Sequence, residues 1–273
     1  MPPAKKTSEK TLPTYGNAPV VEVVASAQFS DLESLKSADI AKLWDALGGK
    51  QTYPRNEEQP PLPKLQPKMG VINFMTTVGA LQNRQWFVSE DESALIQFQK
   101  DRLICNWRKV EGKPYPRYKQ VIGKFHETYG KLLGFIEGES WPLPRLEQLE
   151  LGYVNIIPFS DFSSNDDLSH IGDVFCDLGW GQTKRFLQAP NRINLQWQFP
   201  KPEILSIGHV HIMTVQNVED AKPAIRFGLN VVGSLSGQNT DSMKAWFDAA
   251  HEWIVLAFDD MVTQKMKEQW RRQ

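Results

Sequence analysis

QWFVSEDESALIQFQKDRLICNWR, residues 85 to 108, decides how the rest of this chain is read. In its last segment Leu103, Cys105 and Trp107 alternate with Ile104, Asn106 and Arg108, and before it Ile96 and Phe98 alternate with Gln97 and Gln99. Successive side chains of a strand point to opposite faces, so this period of two sets one group against a core and the other, amides and a guanidinium, on the far face. Glu90-Asp91-Glu92-Ser93 and Lys100-Asp101 have the short polar composition of turns. Three antiparallel strands are therefore expected.

Upstream, Pro19 opens VVEVVASAQFS, long enough for one strand. SDLESLKSADIAKLWDALGG follows, with Leu35, Ile40, Leu43, Trp44 and Leu47 at helical spacing. Ser37 or Asp39 is placed to cap that helix and Gly48 to stop it. Between residues 51 and 68, Pro54, Pro60, Pro61, Pro63 and Pro67 forbid regular structure and favour an extended surface strap. GVINFMTTVGAL, residues 70 to 81, reads as another strand. Downstream, Val121, Ile122, Phe125, Tyr129, Leu132, Leu133 and Ile136 form one stripe, which predicts a helix covering the sheet. Residues 1 to 18 are Pro, Lys, Ser and Thr with little apolar content, and are expected to form a disordered tail.

The second half restarts this plan. Phe159-Ser160-Asp161 answers Phe29-Ser30-Asp31, and Asp177-Leu178-Gly179 answers the Asp45-Ala46-Leu47-Gly48 helix end, so a helix begun or capped by Asp166-Asp167 is expected between them. Three strands follow. The first buries Ile193, Leu195, Trp197 and Phe199 and shows Asn194, Gln196 and Gln198. The second sets Val210 and Ile212 against His209 and His211, and the third sets Ile225, Phe227, Leu229 and Val231 against Arg226 and Asn230. A last helix carries Phe247, Ala250, Ile254, Ala257, Phe258 and Met261 on one stripe, with Thr240 or Asp241 as its cap.

The expected fold is α+β and two-layered. Two β-α-β-β-β-α units, residues 19 to 140 and 145 to 273, pack as one domain, with one antiparallel sheet and helices on a single face. That topology resembles the duplicated saddle of the TATA-box-binding protein, a likeness of architecture that carries no function with it. PVVEVVASAQFS, WFVSEDESALIQFQKDRLICNWRK with the downstream YPRY, and AHEWIVLAFDDMVTQKMKEQW together resemble a sporadically distributed family of uncharacterised bacterial proteins of about this length. The family has no established activity, so the resemblance implies no catalytic residue. Its patchy distribution implies horizontally moved genes such as toxin-antitoxin or phage-defence modules.

A net charge of -1 argues against nucleic acid, whose phosphates draw on surplus Lys and Arg. No stretch approaches the roughly 20 apolar residues that span a bilayer, and no apolar leader is present, so a cytoplasmic protein without membrane contact is expected. Cys105 and Cys176 lie in apolar contexts without a CxxC or Cys/His companion and read as buried hydrophobes in a reducing compartment. Trp44, Trp86, Trp107, Trp197, Trp246 and Trp253 are assigned mainly to buried faces.

No Walker A, GxSxG, HExxH or GxGxxG pattern occurs, so no catalytic residue and no cofactor are assigned. His209-x-His211 could converge on a metal from one strand face, but no third ligand is evident and no metal is assigned. The expected binding surface is the amide-rich sheet face: Gln97, Gln99, Asn106, Arg108, Asn194, Gln196, Gln198, His209, His211, Arg226 and Asn230. If Phe87 stood exposed among them it could stack a base. The leading reading is a non-enzymatic binding or regulatory protein whose sheet face or edge engages a partner protein, one encoded beside it or a second copy in a homodimer. The alternative is a small-molecule binder or enzyme with a polar site at His209, His211, Arg108 and Arg226.

Overall fold

The computed structural model describes residues 11–64, 83–164, 167–180, 186–216, 221–235, 237 and 239–273. Among these residues nine strands form one antiparallel sheet: β1 Val20–Phe29, β2 Arg55–Gln59, β3 Arg84–Val88, β4 Ala94–Gln99, β5 Arg102–Arg108, β6 Leu146–Pro158, β7 Asn194–Lys201, β8 Ser206–Gln216 and β9 Pro223–Gly233. Their order across the sheet is β2-β3-β4-β5-β1-β6-β9-β8-β7. The three strands expected between residues 85 and 108 are β3, β4 and β5. Asp91 builds the first turn by accepting from Ser89 Oγ at 2.8 Å and from the Ser93 amide at 3.1 Å.

Among the described residues five helices accompany the sheet: α1 Ile40–Leu47, α2 Gly49–Thr52, α3 Tyr118–Gly138, α4 Thr240–Met261 and α5 Gln264–Gln269. α3 lies over β5 and β1, α4 over β9 and β6, and α1 packs against α3. The buried residues of α3 are Val121, Ile122, Phe125, Thr128, Leu132 and Ile136, close to the expected stripe. Those of α4 are Met243, Trp246, Phe247, Ala250, Ile254 and Phe258. They meet Val23, Ala25, Phe98, Leu103, Leu151, Phe227 and Leu229 from the sheet in one continuous core, the arrangement that the period-two alternation requires. α4 approaches β8 so closely that a Cβ at Gly208 would stand 2.4 Å from the Trp253 ring. Only glycine admits that contact.

Several expectations are corrected. The strap between residues 51 and 68 contains β2, because Arg55–Gln59 is free of proline and hydrogen-bonds along β3, flanked by Pro54 and Pro60. Residues 65–68 of that strap, and the strand expected over 70–81, lie outside the described residues. No α-helix forms between β6 and β7 among the described residues. Instead there are 3-10 turns at Phe159–Asp161 and Ile171–Asp173. Asp167 accepts from the Ser169 amide at 3.0 Å and its hydroxyl at 2.5 Å, a local bond that competes with helical hydrogen bonding. Asp166 lies outside the described residues.

The α4 cap is Asn239, whose Oδ1 accepts from the Ser242 amide at 2.8 Å, in place of Thr240 or Asp241. Cys105 is buried but Cys176 is exposed. Of the expected tail, residues 1–10 lie outside the described residues, while Thr14, Gly16 and Asn17 bond to the backbone of residues 270–273, and Tyr15, 6% exposed, donates to Asp259 at 2.6 Å. One buried aromatic with a charge-assisted bond is enough to order so short a segment against the C-terminus. No helix among the described residues is long and apolar enough to cross a membrane.

Candidate functional site

The alternation of the strands places the expected binding residues on the face opposite α3 and α4, and the two halves of that face differ. In the first half the amides are buried and bonded to one another. Gln97 is 7% exposed, and its Oε1 accepts from Arg84 Nη1 at 2.8 Å and Trp86 Nε1 at 3.2 Å. Its Nε2 donates to Asn106 Oδ1 at 2.8 Å, and Asn106 Nδ2 donates to Glu22 Oε1 at 2.8 Å. Arg108 approaches Glu22 at 3.6 Å and lies over the Trp86 ring, 5.2 Å from its centroid. Trp86 thus belongs to this polar face, whereas Phe87 is fully buried on the other, which removes it as a stacking platform.

Gln99 holds the strap. Its Oε1 accepts from the Leu62 amide at 2.8 Å and its Nε2 donates to the Leu62 carbonyl at 3.0 Å. Beside it Arg102, 3% exposed, donates to the Pro63 carbonyl at 2.8 Å and to Gln28 Oε1 at 2.5 Å. Burial lowers the guanidinium pKa of Arg102, opposed by the carboxylates of Asp101 and Glu150. Burial pushes the Glu150 carboxyl up, opposed by Arg102 and by the bond from Asn230 Nδ2 at 2.7 Å. Gln97, Gln99 and Asn106 were expected on an open surface. They are instead structural, because edge-to-edge amide bonding and the strap satisfy them.

In the second half the face is open. Asn194, Gln196 and Gln198 are exposed, and His209, His211, Arg226 and Asn230 are half-buried. His211 Nε2 bonds Asn194 Oδ1 at 2.8 Å. Burial holds both His209 and His211 below the ordinary imidazole range, and Arg226 lowers His211 further. The pairing register sets Arg108, Glu22, Val154, Gly228 and His211 on one row. At about 4.8 Å per strand, Arg108 stands roughly 19 Å from His211. The four residues of the alternative polar site therefore do not converge. Among the described residues no group of three or more His, Cys, Asp or Glu is placed to hold a metal.

The two outer edges of the sheet are built differently. β2 presents exposed Arg55, Asn56, Glu57 and Glu58, with Arg55 paired to Glu92 at 2.9 Å. Charges of that kind block further strand pairing. β7 from Asn194 to Phe199 carries only amides and apolar residues. Of the five exposed large hydrophobics among the described residues, Phe199 lies on β7 and Leu205 in the short connection that follows it. Between β7 and α4 runs a groove of about 650 Å³ whose apolar floor includes Phe199, Ile204, Trp253, Leu256 and Ala257. Sequence alternation missed this edge because it assigned Ile193, Leu195, Trp197 and Phe199 to a core. Phe199 is 43% exposed, since among the described residues no strand lies outside β7.

A second cluster without a sequence signal lies between α3 and α4. Tyr118 stacks on His251 at 3.8 Å and donates to Asp248 at 2.8 Å, and the Tyr115 and Tyr153 hydroxyls bond at 3.0 Å. Burial lowers His251 from 6.5 to about 4, opposed by Asp248. A histidine depressed in the folded state is neutral in both states above its unfolded pKa. As pH falls from 6.5 toward 4 the unfolded chain takes up the proton first, so stability is lost over that window. Urea unfolding at several pH values should show a slope that His251→Phe reduces by up to about 1.4 kcal/mol per pH unit. His126, His209 and His211 are depressed in the same direction, so part of the slope should persist.

No protein-family model matches the chain, and no curated protein matches it closely enough to indicate a relationship. The surface itself must carry the functional reading.

Proposed function

We propose that this chain is a non-enzymatic protein-binding protein that engages its partner through the open β7 edge. The observation that carries the reading is the contrast between the charged β2 edge and the neutral, apolar-flanked β7 edge. An uncharged edge with unpaired backbone groups invites an added strand, and an exposed apolar patch beside it supplies burial. The sheet face contributes only its second half, since the first-half amides are committed to one another and to the strap. Nucleic acid is the disfavoured partner: Arg84 and Arg102 are spent on buried amides and Arg108 sits against Glu22.

The same proposal takes the two halves as copies of one unit with the saddle architecture. In its support, β1 precedes β3, β4 and β5 as β6 precedes β7, β8 and β9, and the two sets lie in mirrored order about the β1-β6 pair. The buried residues Val121, Phe125, Thr128, Leu132 and Ile136 of α3 recur at identical spacing as Met243, Phe247, Ala250, Ile254 and Phe258 of α4. The resemblance to patchily distributed bacterial proteins makes an adjacently encoded toxin or defence component the first partner to examine, with a second copy of the chain next.

Tagged protein expressed in its native host should retain a stoichiometric partner that the Gln196→Lys, Gln198→Lys double variant loses at least tenfold. Both positions are exposed, so unfolding temperature should not move. Equal capture by the lysine variant would overturn the assignment of the edge. Light scattering on the purified chain separates a homodimer from a foreign partner.

A further inference from the structure

Resting on that reading, we infer that the groove beside β7 receives a basic-flanked amphipathic helix of the partner. The first half shows what such a slot holds. There α1 packs against α3, with Leu43 and Leu47 buried to within 1% and Trp44 Nε1 donating to the Tyr53 carbonyl at 3.0 Å. The α1-α2 segment reaches α3 at two points: Lys42 bonds Glu139 at 3.3 Å, and Tyr53 lies near enough to Glu127 to feel its charge. In the spacing shared by the buried stripes of the two helices, Glu127 and Glu139 correspond to Ala249 and Met261. Both line the groove.

The groove is thus the second-half position of the slot that α1 fills. The described chain between β6 and β7 does not fill it: none of its residues lines the groove, and it bonds to the chain where α4 ends. Phe175 bridges to Val262, and the Cys176 amide donates to the Met261 carbonyl at 2.9 Å. What remains is a floor lined by Phe199, Ile204, Trp253, Leu256 and Ala257, and an amphipathic helix is the element that buries such a stripe.

Charge selects the flanks of that helix. Among the groove carboxylates, Asp259 is committed to Tyr15, Lys267 and Arg272, and Glu203 to Lys201. Glu252 and Asp260 are exposed and have no ion pair or hydrogen bond among the described residues. Two turns apart on α4, they face outward along the rim. Lys or Arg on the incoming helix complements them.

The probe is a fluorescent peptide with the sequence of residues 37 to 53, SADIAKLWDALGGKQTY, carrying Asp39→Lys and Asp45→Lys. It should bind the full chain saturably, and weaken at least tenfold with Leu256→Asp and several-fold with Glu252→Lys plus Asp260→Lys. The Gln196→Lys, Gln198→Lys variant should bind it unchanged. Ala249→Arg, which fills the groove without removing an apolar side chain, guards against misfolding of Leu256→Asp and should abolish binding. No saturation at about 1 mM peptide, or equal binding by Leu256→Asp and Ala249→Arg, overturns the helix inference while leaving the edge reading to its own capture test. If the unliganded chain dimerises and Ala249→Arg abolishes the dimer, the occupant is a second copy, and the foreign helix is overturned.

Discussion

Arg102→Ala is expected to destabilise the protein by on the order of 3 kcal/mol, the cost of removing one partner from a buried charged network. The guanidinium is 3% exposed, ties β5 to Gln28 of β1 and to the Pro63 carbonyl of the strap, and lies within electrostatic reach of Asp101 and Glu150. Removing it takes a donor from Gln28 Oε1 and from the Pro63 carbonyl and removes the cation that opposes the burial of the Glu150 carboxyl, which keeps its bond from Asn230. Chemical denaturation measures the loss. Glu150→Gln added to Arg102→Ala should recover part of it by neutralising the stranded group, and proteolysis within residues 60–64 should accelerate as the strap loses its anchor. A loss below about 1 kcal/mol, or no recovery in the double variant, would mean that the network contributes packing and not charge compensation.

Phe247→Ala is expected to cost about 3–5 kcal/mol, from lost transfer energy and the cavity left behind. Phe247 is fully buried on α4 and meets Phe125 of α3 edge-on at 5.0 Å, joining the helix layers of the two halves. For a chain of this size that loss lowers the unfolding temperature by roughly 6–20 °C, at about 2–4 °C per kcal/mol. One cooperative transition should persist, because a single core runs through both halves. Separation into two transitions would mean that the halves fold independently and that the seam contributes little.

The elements best read from sequence are those whose apolar period is long and whose partner surface is continuous. The hairpins of residues 84 to 108, the α3 stripe and the α4 stripe all meet that condition, and the structure places their apolar members in the core. β2 escaped because proline density masked five proline-free residues that need only a neighbouring strand to become one. The helix expected after β6 failed for the opposite reason. FSD and DLG resemble the first half at both ends, but local Asp and Ser bonding between them yields short 3-10 turns.

The candidate surface was half legible. The alternation correctly assigned Gln97, Gln99, Asn106, Asn194, Gln196 and Gln198 to one face, since side-chain direction in a strand is a local property. Whether a face is open is not local. Leu62 and Pro63 arrive from a distant part of the chain to bond Gln99 and Arg102, while Gln196 and Gln198 sit on the outermost strand and are exposed among the described residues.

By itself the sequence of residues 85 to 108 determined three strands, their turns and which side chains oppose which, because those follow from a period of two and short polar loops. Only the tertiary structure decided that the amides of that stretch are buried mortar and that the uncharged edge of the sheet is β7, with a groove beside it. The reason is physical: burial and edge exposure depend on strand order and on which helix finds its slot, and both are fixed by contacts between residues far apart in the chain.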